Sequence, residues 1–188
     1  VLDHLITQDA DLRMVPVDRG ALIARVGRLR QELAALPKGA GPARVRVLTR
    51  WIGVGQMCLG RHEEARTYLR RSLALAEVIG DTHAVVATGI NLGDSYRYTG
   101  EWRAAEAFYR GALDTARSRH PELVDFALQH TGKHLMEHGD LADAEALLRE
   151  ALRLRIARGD GELIASTQAA LTRLRQLTGR ADAPGAPS

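Results

Sequence analysis

Three histidines, His130, His134 and His138, follow one another at intervals of four residues. Side chains at that spacing share one helix face, so an adjacent pair has the geometry to ligate a transition metal. All three cannot reach one ion, because i to i+8 spans about 12 Å of helix axis. No HExxH accompanies them, and no cysteine is near in sequence. The competing assignment gives one histidine to a binding face, one to a helix contact and one to a helix end, where a cation is mildly favoured. We therefore expect no metal site. Titration near pH about 6.5 leaves pH-sensitive binding open.

Arginine supplies the other reactive-looking clusters. Arg66, Arg70 and Arg71 form one, and Arg149, Arg153, Arg155 and Arg158 form another. With Glu63 and Glu150 beside them, both read as solvated charge on an outward face. They are not gathered into one aromatic-laced stripe, which argues against RNA or DNA as a partner. Cys58 reads as a small packing residue in preference to a reactive thiol. No nucleophile–base set, phosphate loop or paired-carboxylate motif is present, so neither catalysis nor a cofactor is expected.

The composition bounds what can position these groups. Of 188 residues, 45% are hydrophobic and 26% charged, as in an ordinary soluble domain. Aromatics make up only 4%, so the core must rest on Leu, Ala, Val and Ile, a mixture that suits helices. The net charge of +3 is small for this length. Lys38 and Lys133 are the only lysines, which we read as the trace of a GC-rich, bacterial genome. A single cysteine forms no intramolecular disulfide, which fits a reducing, cytoplasmic setting. No apolar run approaches the roughly 20 residues that span a bilayer. The chain starts at Val1 without a secretion-signal pattern, and we expect it to be processed or cut from a longer protein.

Residues 1–42 are expected to be an N-terminal segment that caps the helices after it. In Val1 to Val17, Leu2, Leu5 and Ile6 suit a short helix that Pro16 would stop. Asp18 is placed to cap a helix over about 19–36, which the Pro37 to Pro42 stretch ends. Helices are then predicted at about 43–59, 62–79, 82–99, 102–118, 121–138, 141–158 and 161–178. The tail 180–188 has no apolar side chain larger than Ala or Pro and is expected to be disordered.

A repeat organises this series. Gly53, Gly60 and Ala65 recur as Gly93, Gly100 and Ala105, and again as Gly132, Gly139 and Ala144. The offsets are 93 − 53 = 40 and 132 − 93 = 39, and Gly179 lies 40 after Gly139. Such a period marks a stack of helical hairpins. It divides residues 43–179 into units 43–81, 82–120 and 121–160 and a half unit 161–179. Gly60, Gly100, Gly139 and Gly179 suit the left-handed position that ends a helix. Gly53, Gly93 and Gly132 lie inside helices, which is tolerable where a partner backbone comes close, with Ala65, Ala105 and Ala144 as the small partners. Asp81 and Asp160 are placed as caps, and Pro121 suits a first turn.

These residues resemble the tetratricopeptide repeat, whose pattern is Leu-Gly-x-x-Tyr followed by Ala-x-x-x-Phe. Leu92-Gly93-x-x-Tyr96 with Ala105-x-x-x-Tyr109 matches best. Ile52-Gly53-x-x-Gln56 with Ala65-x-x-x-Leu69, and Thr131-Gly132-x-x-Leu135 with Ala144-x-x-x-Leu148, are in the same phase. Gly89 stands where the family has tryptophan, and the period exceeds the usual one of about 34 residues. The chain is thus similar to the longer-repeat branch of kinesin light chain and of bacterial regulators. The resemblance implies an all-α, right-handed superhelical stack of antiparallel helix pairs, with three full repeats, an N-terminal helix and a C-terminal capping helix.

It also implies a concave groove lined by the first helix of each pair. Carried over residue by residue, the lining is Arg50, Trp51, Val54 and Met57; Asn91, Asp94, Arg97 and Tyr98; Phe126, Gln129, His130, Lys133 and Glu137; and Arg173. Such a groove holds a protein or peptide segment, here expected to be acidic and apolar. The lysine–asparagine clamp of chaperone-tail receptors is not reproduced, because Val54 and Asp94 stand where its asparagine is needed. The alternative is a sensory module of a larger bacterial transcription or signalling regulator. Leu171, Leu174 and Leu177, with no following helix to cover them, suggest a homodimer through the C-terminal helix.

Overall fold

The Asp18 carboxylate accepts the Ala21 N–H at 3.0 Å and starts the first helix where the sequence places it. In a computed structural model of the chain, residues 2–181 are described. After a 3-10 turn at Asp3–Leu5 come strands β1 (Ile6–Gln8) and β2 (Met14–Pro16), then α1 (Arg19–Ala34), α2 (Pro42–Cys58), α3 (His62–Val78) and α4 (Thr82–Arg97). α5 (Trp102–Arg119), a 3-10 turn at Pro121–Leu123, α6 (Val124–His138), α7 (Leu141–Arg158) and α8 (Gly161–Ala181) complete it. Pro121 therefore opens a separate tight turn, and α6 starts three residues later than expected.

The chain forms two compact units whose boundary falls inside α5, between Thr115 and Ala116. In the first, α1 packs on α2, α2 on α3 and α3 on α4, while α2 also touches α4. In the second, α6 packs on α7 and α7 on α8, with α6 touching α8. Successive helices stack, first helix against first helix, as in an all-α solenoid. The N-terminal strands depart from that scheme. They pair antiparallel, with Ile6 opposite Pro16 and Gln8 opposite Met14, so only the 3-10 turn realises the short helix expected around Leu5.

The recurring small residues sit where the helices of a pair touch. A Cβ on Gly53 would lie 2.7 Å from Leu69 Cγ and 3.1 Å from the Ala65 carbonyl oxygen. On Gly93 it would lie 2.6 Å from the Tyr109 ring, and on Gly132 2.9 Å from Leu148 Cγ. Ala65, Ala105 and Ala144 are buried, as are Leu69, Tyr109 and Leu148. The glycine thus admits the bulky residue one turn beyond each alanine. Gly139, at φ 102°, ends α6 in the left-handed region. Asp81 and Asp160 cap α4 and α8, accepting from the N–H groups of Ala84 at 2.9 Å and Leu163 at 3.1 Å.

Two expectations change, and a third lies largely outside the described residues. Gly179 does not end its helix, since α8 continues to Ala181. An interior glycine costs only about 1 kcal/mol, which the helix absorbs. The expected disordered tail falls, beyond Ala181, outside the described residues. Leu171 and Leu174 are buried in the second unit, where α8 packs on α7, so the open apolar face behind the dimer expectation is largely covered.

Arg66 and Arg155 are interior, not solvated. Arg66 donates to the Ser95 carbonyl at 3.1 Å and to Thr99 Oγ1, pairs with Glu101 at 2.7 Å and lies 4.0 Å from the Tyr96 ring centroid. It fastens α3 to α4. Arg155 is fully buried, donating from Nε to Asp125 Oδ2 at 2.6 Å and from Nη1 to Gln129 Oε1 at 2.6 Å and Thr167 Oγ1 at 2.7 Å. One guanidinium thus ties α7 to both α6 and α8.

Candidate binding face

The residues expected to line a groove divide into a half-buried set and a buried set. On α2, Arg50 and Trp51 are half-buried, whereas Val54 and Met57 are buried. The Arg50 guanidinium lies over the Trp51 ring, 5.0 Å from its centroid, and its Nε donates to Asn91 Oδ1 of α4 at 3.0 Å. Asn91 is buried, so it orients Arg50 from beneath. Among the described residues no carboxylate bonds Arg50. Burial, and then the neighbouring Arg46 charge, push its pKa down to about 10, while Asp3 acts in the opposite sense. The result is a cation poor in compensating charge, held rigid between two neighbours. Such a group suits an incoming carboxylate.

Asp94 and Arg97 on α4 are fully buried. Arg97 Nη2 donates to Asp94 Oδ1 at 3.2 Å, Tyr109 Oη donates to the same oxygen at 2.7 Å, and Arg97 Nε donates to Tyr109 Oη at 3.2 Å. Burial and the Asp94 charge push the Tyr109 hydroxyl well above its ordinary range, so it stays protonated and donates. These residues, read as groove wall, stitch α4 to α5 within the first unit. Tyr98 is half-buried at the end of α4, edge-on to His62, with ring centroids 6.0 Å apart. Burial, and then the charges of Arg66 and Arg13, lower the His62 pKa.

The N-terminal strands reach this place, which the sequence reading did not anticipate. Tyr98 Oη accepts the Met14 N–H at 2.8 Å, and the Tyr98 carbonyl accepts Arg13 Nη1 at 3.3 Å. The signal was in the chain: Ile6 to Gln8 and Met14 to Pro16 flank an Asp9-Ala10-Asp11 turn.

In the second unit, Gln129 and Lys133 are buried, while Phe126, His130, Glu137 and Arg173 are half-buried. Gln129 accepts from Arg155 and donates from Nε2 to Ser166 Oγ at 3.0 Å, so its amide is committed to the α6–α8 contact. Phe126 lies under Arg155, 5.0 Å from ring centroid to guanidinium. His134 is buried and its ring stacks on that of His138 at 6.3 Å, and His138 Nδ1 lies 2.8 Å from Asp140 Oδ2. No group of three metal-ligating side chains converges among the described residues. Cys58 is buried, and burial, then the Asp94 charge, raise its thiol to about 12, which leaves it protonated and unreactive at neutral pH. No helix among the described residues is long and apolar enough to cross a membrane.

Comparison with known proteins agrees with this architecture. No curated protein matches the chain. Among solved structures, that of BtubC (BKLC) from P. vanneervenii is similar, with a TM-score of 0.63 and 18% sequence identity over 95% of this chain and 81% of the other. At that identity the likeness bears on the fold alone. The tetratricopeptide repeat family matches residues 45–118, from α2 to the end of α5. Residues 45–118 of this chain are therefore tetratricopeptide repeats, and the same glycine–alanine contact and stacking of first helix on first helix recur in the second unit.

Proposed function

We propose that this chain is a non-catalytic scaffold that holds an extended protein or peptide segment against the α2–α4 face of its first unit. Tetratricopeptide repeats generally mediate protein–protein interaction, and one observation supports this face for that role: Arg50, stacked on Trp51 and bonded to Asn91, has no carboxylate hydrogen bond or ion pair among the described residues. A segment with acidic and apolar side chains complements that pair, the acid meeting the guanidinium and the apolar group the indole. Arg50 and Trp51 would touch the segment, and Asn91 would position Arg50. Asp94 and Arg97 contribute through the buried network that stiffens α4. In the second unit, His130, Glu137 and Arg173 are the half-buried counterparts, with Gln129 and Lys133 buried behind them. A reducing, cytoplasmic location suits the lone buried thiol of Cys58.

The test is a library of extended acidic–apolar peptides titrated against the full chain. Arg50→Ala is expected to weaken the best binder by about tenfold or more, the scale of one charge-assisted hydrogen bond. Arg71→Ala, on the exposed side of α3, should change nothing. Equal affinity in the Arg50 variant and the parent would remove the reading. Arg97→Ala is a poor probe, because it breaks a buried network and so confounds binding with folding.

A further inference from the structure

Seven consecutive residues of α2, Ile52 to Cys58, are all buried. Seven residues make nearly two turns, so the helix has no open side there. The elements packed on it are α1, α3, α4 and β2. The first three are the neighbours any stacked array supplies. The strand is the extra cover.

Its docking has the form of a bound peptide. The outer edge of β2 offers the Met14 backbone N–H to Tyr98 Oη at 2.8 Å. The preceding Arg13 sits over the Tyr98 ring at 5.4 Å and donates to the Tyr98 carbonyl at 3.3 Å. At the other end of the segment, the charge of Asp3 acts on Arg50 without a hydrogen bond or ion pair between them, so the guanidinium stays open to a closer carboxylate. Between them, Leu2 is buried, with its Cδ1 3.6 Å from where a Gly55 Cβ would be. An apolar side chain to α2, and a backbone N–H and a base to Tyr98: the N-terminal segment meets the face as an extended peptide would.

The segment also holds itself together. Asp9 Oδ1 accepts the N–H groups of Asp11 and Arg13, both at 2.9 Å. The Asp9 N–H reaches the Arg13 carbonyl at 3.0 Å, and the Val17 N–H reaches the Leu5 carbonyl at 2.9 Å. The turn and strand pairing are thus made within the segment, and no backbone hydrogen bond of α2 or α4 depends on them.

We propose that residues 2–17 are an internal occupant of the α2–α4 face, docked as a removable hairpin. The partner that displaces it is an extended segment with an acidic side chain for Arg50 and a basic residue followed by a backbone N–H for Tyr98. This rests on the reading that the face holds an extended segment, and it adds that the free protein fills the face with its own chain.

Native-state hydrogen exchange on the full chain tests the release directly. The Asp9, Met14 and Val17 amides are expected to exchange about a hundredfold faster than the Ile52–Met57 amides, through an opening that leaves α2 protected. Tyr98→Phe should speed the Met14 amide by a further factor of up to about tenfold, with α2 unchanged. Equal protection of the hairpin and α2 would overturn the proposal. A second measurement titrates a synthetic peptide of residues 2–17 into the parent and into Arg13→Glu, which loosens the hairpin and keeps Tyr98. The variant should bind the peptide about tenfold tighter or more. Equal or weaker binding would overturn the proposal. A hairpin that never leaves, combined with Arg50-dependent capture of other peptides, sinks this inference and spares the scaffold reading; loss of both sinks the shared premise.

Discussion

In the first unit Arg46, on α2, reaches forward to Asp81, the cap of α4, at 3.1 Å. In the second unit the matching residue of α6 is Asp125, and Arg155 and Arg158 of α7 reach back to it. The positions correspond: Arg46 and Asp125 lie 53 − 46 = 7 and 132 − 125 = 7 residues before the repeat glycine. Arg155 lies 155 − 144 = 11 beyond its repeat alanine, where the first repeat has Ala76, since 76 − 65 = 11. Ala76 and Arg155 are both fully buried. One join is closed by a small side chain inside and a partly exposed ion pair at the rim. The other is closed by a guanidinium at its centre. The same repeat geometry therefore tolerates opposite solutions, provided each buried charge meets an opposite one. They differ in fragility, because a buried charge that loses its counterpart is left where water cannot reach it.

The largest effect should come from breaking the second solution. Arg155→Ala leaves the buried Asp125 carboxylate with only the half-exposed Arg158 and should cost about 3–5 kcal/mol of stability, read as a fall in the urea midpoint. The middle repeat carries Val86 and Ala116 at these two positions, both buried. Converting the pair together, as Asp125→Val with Arg155→Ala, should recover most of that loss. A double variant as unstable as the single one would show that the ion pair is not what makes the second unit fragile.

Next in size is the glycine contact that recurs within each unit. Gly93→Ala should cost about 1–3 kcal/mol through overpacking against the Tyr109 ring, net of a helix-propensity gain of about 1 kcal/mol. Tyr109 is pinned by Asp94 and Arg97, whereas Leu148, facing Gly132, is a free aliphatic end. Gly132→Ala should therefore be milder, and the order of the two thermal midpoints checks it. The smallest effect belongs to the rim. Arg46→Ala removes a partly exposed pair and should shift stability by no more than about 1 kcal/mol. A loss as large as that of Arg155→Ala would erase the contrast between the two joins.

Much of this fold is legible in the residues. The period of 39 and 40, the glycines that end helices and the caps Asp18, Asp81 and Asp160 each express a local rule that acts wherever the chain goes. Gly179 shows the limit, since a glycine permits a helix to end without requiring it. The candidate site is less legible. Arg50, Trp51 and Asn91 are brought together as a cluster, but Asp94 and Arg97, one turn further along the same helix, are spent on Tyr109.

What the sequence by itself determined is the phase of the array: small side chains recurring in step, and therefore which helix faces touch. What only the tertiary structure decided is which charges go inside and what covers the first helices. Arg71 and Arg155 look alike in a sequence, and one is exposed while the other is buried. The difference lies in partners such as Asp125 and Thr167, 30 and 12 residues away along the chain, or Tyr98 at 84 residues from Met14, and no local pattern records them. Helix periodicity is set by backbone geometry within a few residues, whereas burial of a charge depends on whether distant chain returns to satisfy it.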